Sequence, residues 1–72
     1  MEAYRDVNGD SGISAYQIGD EGILVRFTSG ATYIYTYGSA GSAHIERMKI
    51  LARAGNGLNA YIIKNRVPYS KK

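Results

Sequence analysis

Apolar and polar residues alternate from Ile23 to Tyr37: Ile23, Val25 and Phe27 are interleaved with Leu24 and Arg26, and Tyr33, Tyr35 and Tyr37 with Ile34 and Thr36. A period of two is that of a strand, whose successive side chains point to opposite faces, so the pattern predicts strands over 23–27 and 32–37. Upstream, Ile13 to Ile18 (ISAYQI) has β-compatible composition and ends in the turn residues Gly19, Asp20 and Gly22, which predicts a further strand joined by a hairpin. The period then changes. Ile45, Met48, Leu51 and Ala52 form a helical stripe, with Glu46, Lys49 and Arg53 on the wet side. A helix is expected from about Ala43 to Ala54, with Ser42 as its N-cap and Gly55 as its left-handed stop. Asn56 or Asn59 can cap a second, shorter helix facing inward through Leu58, Tyr61 and Ile62, which ends before Pro68 for want of an amide donor. The expected fold class is α+β, a three-stranded antiparallel meander followed by one or two helices on one face (βββαα). Residues 1–12, polar and glycine-rich, read as a flexible acidic lead-in, 13–69 as the single domain, and 70–72 as a frayed basic tail.

The loop between the second and third of these strands decides where the tyrosines point, because hairpin loop length fixes register. A two-residue Ser29-Gly30 loop pairs Phe27 with Thr32 and sets the rings opposite Ile23, Val25 and Phe27. A three-residue Thr28-Ser29-Gly30 loop, with Gly30 left-handed in a bulge, pairs Phe27 with Ala31, Val25 with Tyr33 and Ile23 with Tyr35. The second register sorts the residues better, since it gathers the large rings on one face, where each buries about 150–250 Å². It also leaves Leu24 and Ile34 as a cross-strand apolar pair on the outer face, joined by Tyr16 and Ile18 if the first turn permits.

The chain has 72 residues and no cysteine, so neither disulfides nor thiolate metal sites can support its small core. The longest apolar run, Ala60 to Ile63, is far short of the roughly 20 residues that cross a bilayer. No signal peptide or membrane partner is expected, and the chain reads as cytoplasmic. The net charge of +3 hides an asymmetry. Residues 1–21 carry Glu2, Asp6, Asp10, Asp20 and Glu21 against Arg5, while residues 22–72 carry eight bases against Glu46 alone.

Catalytic and metal chemistry find little support. Asp6, Asn8 and Asp10 have the spacing of positions 1, 3 and 5 of a calcium loop, but Ser11 stands where the sharp turn needs glycine and Gln17 where the bidentate glutamate belongs. His44 is the only histidine, read as a surface residue of the first helical turn, and no cysteine can pair with it. Gly55-Asn56-Gly57 lacks the lysine and the strand-to-helix context of a phosphate loop. No enzyme, metal or cofactor is expected. The basic half is the better lead: Arg47, Lys49, Arg53, Lys64, Arg66, Lys71 and Lys72 can contact phosphates, and Tyr61 or Tyr69 can stack on bases. The expected partner is thus RNA or single-stranded nucleic acid. The alternative is a protein-interaction or homodimerising domain that uses Leu24 and Ile34 on the outer sheet face.

The glycine turn before YIYTY, a helix ending in ARAGNGLN, an isoleucine-rich helix and a closing VPY resemble the KTSC domain over residues 13–69. Phe27, Gly30, Tyr33, Tyr35, Gly57, Asn59 and Ile62 match its pattern. GSAGSA stands in place of the family's usual Val-Pro before the helix, and the spacing from Asn59 to Pro68 is one residue longer. That family occurs at the C-terminus of some lysyl-tRNA synthetases and as stand-alone bacterial proteins. The resemblance implies a fold, and its synthetase context implies RNA binding.

Overall fold

The computed structural model describes residues 1–7 and 12–71. Within them the chain forms β1 (Glu2–Ala3), β2 (Ile13–Ile18), β3 (Gly22–Phe27), β4 (Thr32–Thr36), α1 (Tyr37–Ala40), α2 (Ser42–Ala54) and α3 (Leu58–Asn65). The sheet is antiparallel in the order β1-β2-β3-β4, and the helices follow it, so the fold is α+β with one strand more than the pattern predicts. The added strand lies in the segment read as a flexible lead-in. Glu2 and Ala3 pair with Tyr16 and Ala15, and Tyr4 is buried behind them. A lone apolar residue among polar neighbours carries no period, which is why the alternation does not reveal this strand. Asn8 to Ser11, and with them most of the calcium-like spacing, lie outside the described residues.

The β3–β4 hairpin has the three-residue loop. Val25 lies opposite Tyr33 and Ile23 opposite Tyr35, the Phe27 amide donates to the Ala31 carbonyl, and Gly30 has φ +97°. Ile23, Val25 and Tyr35 are buried in one core, with Phe27 and Tyr33 packed at its margin. The strand β2 reaches the same face by an irregularity. Between Ile13 and Ala15 the register against β3 shifts, and the Ser14 hydroxyl donates to the Arg26 carbonyl at 3.3 Å. The shift lets Ile13, Tyr16 and Ile18 all face inward, which strict alternation over ISAYQI forbids. Tyr16 is buried and Ile18 packs on the core, so neither joins Leu24 and Ile34 outside.

Tyr37 is the first residue of α1 rather than the end of a strand. Thr36 caps that turn: its hydroxyl accepts from the Ser39 amide at 3.1 Å, and the Ser39 hydroxyl accepts from the Thr36 amide at 3.0 Å. The following helix begins at Ser42 itself, with Gly41 at the cap position at φ +88° and no side-chain cap. It buries Ile45, Met48 and Ala52, as its stripe requires, and ends at Gly55 in the left-handed region. Neither Asn56 nor Asn59 caps α3; Gly57 holds that position at φ +82°. Leu58 is buried, and Tyr61 and Ile62 pack on the core. The tail is not frayed at residues 70 and 71. The Ile34 amide donates to the Lys71 carbonyl and the Ser70 amide donates to the Ile34 carbonyl, both at 2.6 Å, so the tail pairs with the outer edge of β4 at Ile34. Lys72 lies outside the described residues.

Candidate functional site

The seven cations singled out in the basic half do not behave alike. Lys49 is the correction. The helical stripe of Ile45, Met48, Leu51 and Ala52 sets it on the wet side of α2, yet it is only 7% exposed. Its ammonium forms an ion pair with Glu46 at 3.0 Å, donates to the Asp20 carbonyl at 3.2 Å and lies 5.5 Å from the centre of the Tyr37 ring. Lysine tolerates such a place because its four-carbon stem covers apolar surface while the head finds a partner. Tyr37 completes the cluster, its hydroxyl donating to Glu46 at 2.5 Å. The Tyr37 hydroxyl and then the Lys49 ammonium hold the Glu46 carboxyl below its usual range, and the bond to Glu46 raises Lys49. This group pins the β2–β3 turn to the middle of α2 and is not open to a phosphate. We expect Lys49→Ala to lower the melting temperature measured by circular dichroism.

Arg47, Arg53, Lys64, Arg66 and Lys71 are exposed. Arg53 is near enough to Glu46 to help hold that carboxyl down, so part of its charge is answered within α2. Arg47 points elsewhere, because six residues at 100° each separate its direction from that of Arg53 by about 120°. His44 and Tyr61 fix the pairing of the two helices. The His44 Nδ1 and the Tyr61 hydroxyl are 2.6 Å apart, and the rings meet edge-on at 5.6 Å. His44 is therefore half-buried and partnered rather than a free surface residue, and Tyr61 is occupied as a structural ring. The contact sets the start of α2 beside the middle of α3. Arg47 and Lys64 each lie one turn beyond it, and Arg66 ends α3 in the left-handed region at φ +49°. Arg47, Lys64 and Arg66 are thus exposed cations along α2 and at the end of α3, and among the described residues nothing within the helical layer covers them.

The exposed ring of the basic half is Tyr69. It is 46% exposed, and its ring meets Tyr33 edge-on with centres 4.8 Å apart. In the chain it stands between Arg66 and Lys71, and Lys71 is paired with Ile34, the neighbour of Tyr33. On the outer face, Leu24 and Ile34 pair across β3 and β4 as the register requires, and both are half-buried. They line an open depression of about 230 Å³ with Gln17, Gly19, Gly22 and Ile23. Among the described residues no group of acidic, histidine or cysteine side chains could hold a metal ion, and no helix is long and apolar enough to cross a membrane. No family model, curated protein or solved structure matches the chain.

Proposed function

We propose that the protein is a non-enzymatic module that binds RNA or another single-stranded nucleic acid, with Arg47, Lys64, Arg66 and Lys71 on phosphates and Tyr69 on a base. The observation that supports this reading most is the fate of Glu46. It is the one carboxylate of residues 22–72, and it is held by Lys49 and Tyr37, so Arg47, Lys64 and Arg66 stand exposed with no acid of their own half to neutralise them. Exposed cations beside an exposed ring are the elements of sequence-tolerant single-strand binding. The resemblance to the KTSC domain points the same way, and with it a bacterial cytoplasmic setting.

Salt dependence tests the reading. Each phosphate neutralised on a single strand adds roughly 0.7 to the slope of log affinity against log salt. Affinity for a short mixed RNA should therefore fall steeply with salt, and Arg47→Ala, Lys64→Ala or Arg66→Ala should each flatten the slope by about that amount. Lys49→Ala should leave the slope unchanged. Negligible binding at every salt concentration ends the reading. Resonances of Leu24 and Ile34 that move with protein concentration and not with RNA would instead assign the outer depression to a second copy of this chain.

A further inference from the structure

The inner face of the sheet is closed over Ile23, Val25 and Tyr35 and opens toward the β3–β4 hairpin, where Phe27 and Tyr33 are half-buried. A recess of about 300 Å³ lies there, lined by Gly12, Phe27, Thr28, Ser29, Ala31 and Tyr33. That volume is at the small end of ligand clefts, which span about 300–1,000 Å³. Phe27 and Tyr33 meet edge-on, with ring centres 5.4 Å apart and planes at 82°. Such a pair takes up at most one face of Phe27, and another face is left to border the recess. Thr28 and Ser29 are exposed at the rim, and their hydroxyls can both donate and accept.

We infer that this recess is a subsite for one unstacked nucleobase, seated on Phe27 with Thr28 and Ser29 at its polar edge. The inference rests on the nucleic-acid reading and adds a place for the base to the cations that hold the backbone. Two features favour a base over an aliphatic side chain of a protein partner. The wall is aromatic and the rim is hydroxylated, which suits a ligand with a flat π face and hydrogen-bonding edges. A cation also neighbours the wall in the fold: Tyr69 packs on Tyr33, and the backbone of the exposed Lys71 is bonded to Ile34, the next residue of β4. Stacking of this kind accepts any base, in keeping with the absence of a built donor and acceptor pattern for one of them.

The test compares a short mixed-sequence RNA with a ribose-phosphate oligomer of the same length that lacks bases, each titrated into labelled protein. With the base-bearing strand the amides of Thr28, Ser29 and Ala31 should shift together with those of Arg47, Lys64 and Arg66. With the abasic strand only the latter set should move, and affinity should be about five-fold weaker or more. Phe27→Leu keeps apolar bulk at the hairpin and should weaken binding of the base-bearing strand alone, with melting followed in parallel. If the hairpin amides stay still while the cations respond to both oligomers, the subsite is overturned and the nucleic-acid reading stands. If neither oligomer binds, both fall. Hairpin shifts produced by a leucine-rich tetrapeptide but not by the RNA also overturn the inference, and assign the recess to a protein side chain.

Discussion

Replacing Tyr35 with alanine should cost about 3–5 kcal/mol, the range for emptying a large aromatic site. Tyr35 is 2% exposed, lies opposite Ile23 and stacks beside Tyr33 with ring centres 6.5 Å apart. A core in a domain of this size supplies only about 3–5 kcal/mol of net stability, so the variant should lose its cooperative melt near room temperature. A variant that melts like the parent would mean that the ring is not part of the core. Tyr35→Phe gives the finer measurement. Burial, with Tyr33 and Tyr69 nearby, pushes the Tyr35 phenol up to about 12 from its ordinary value of 10. The folded state therefore holds the proton more tightly than the unfolded chain. Its contribution is fully present below about pH 10 and is lost as the pH rises toward 12. Denaturant melts of the parent should weaken across that interval, and those of Tyr35→Phe should weaken less. Equal alkaline slopes in the two proteins would show that burial does not hold the Tyr35 proton.

The second large effect is expected at Gly55. Its φ of +71° is the left-handed conformation, which costs an L-residue about 1–2 kcal/mol. An added Cβ would also stand 2.7 Å from the Cβ of Arg5, so the backbone penalty is only part of the cost. Arg5 cannot move without loss, because its guanidinium donates to the carbonyls of Arg53 and Ala54 at 3.2 and 3.1 Å. Those carbonyls belong to the last turn of α2, where a cation is favoured by the helix dipole. Gly55→Ala should thus be clearly worse than Gly30→Ala, which has the same handedness at φ +97° but open space around the new methyl group. Equal losses of stability in urea melts of the two variants would show that the Arg5 contact carries no energy.

The hairpin could be read from the sequence because two local signals agree there: a glycine suited to a left-handed turn, and a face assignment that only one register makes apolar. The helix stripe was legible for the same reason, with Ile45, Met48 and Ala52 at helical spacing. What escaped is non-local. Tyr4 has no period, and its place is set by Ser14 and Leu58, far along the chain. The bulge at Ser14 overrides alternation because the core gains Ile13, Tyr16 and Ile18 at once. Lys49 looks like any wet-side helix cation until the β2–β3 turn brings the Asp20 carbonyl to it. Only the capping of α1 had a missed local sign, Thr36 and Ser39 at capping-box spacing. For the candidate site the charge pattern groups seven cations as one patch, and burial and pairing with Glu46 divide them. Lys49 is withdrawn into its cluster with Glu46 and Tyr37, Arg53 is partly answered by Glu46, and Arg47, Lys64, Arg66 and Lys71 remain exposed.

The contacts of Tyr4, Arg5 and Val7 impose an order on how the chain is made. The Leu58 amide donates to the Tyr4 hydroxyl, Arg5 holds the carbonyls of residues 53 and 54, and the Val7 amide donates to the Gly55 carbonyl. All four partners are synthesised about fifty residues later, an interval of seconds at roughly 5–20 residues per second. Until they emerge from the ribosome, the first strand has no helix end to dock against. The meander and its hairpin can form early, whereas closure of the domain awaits the turn between the last two helices. A truncation before residue 53 would leave β1 paired with β2 but without its helix contacts, and Tyr4 exposed to other nascent chains.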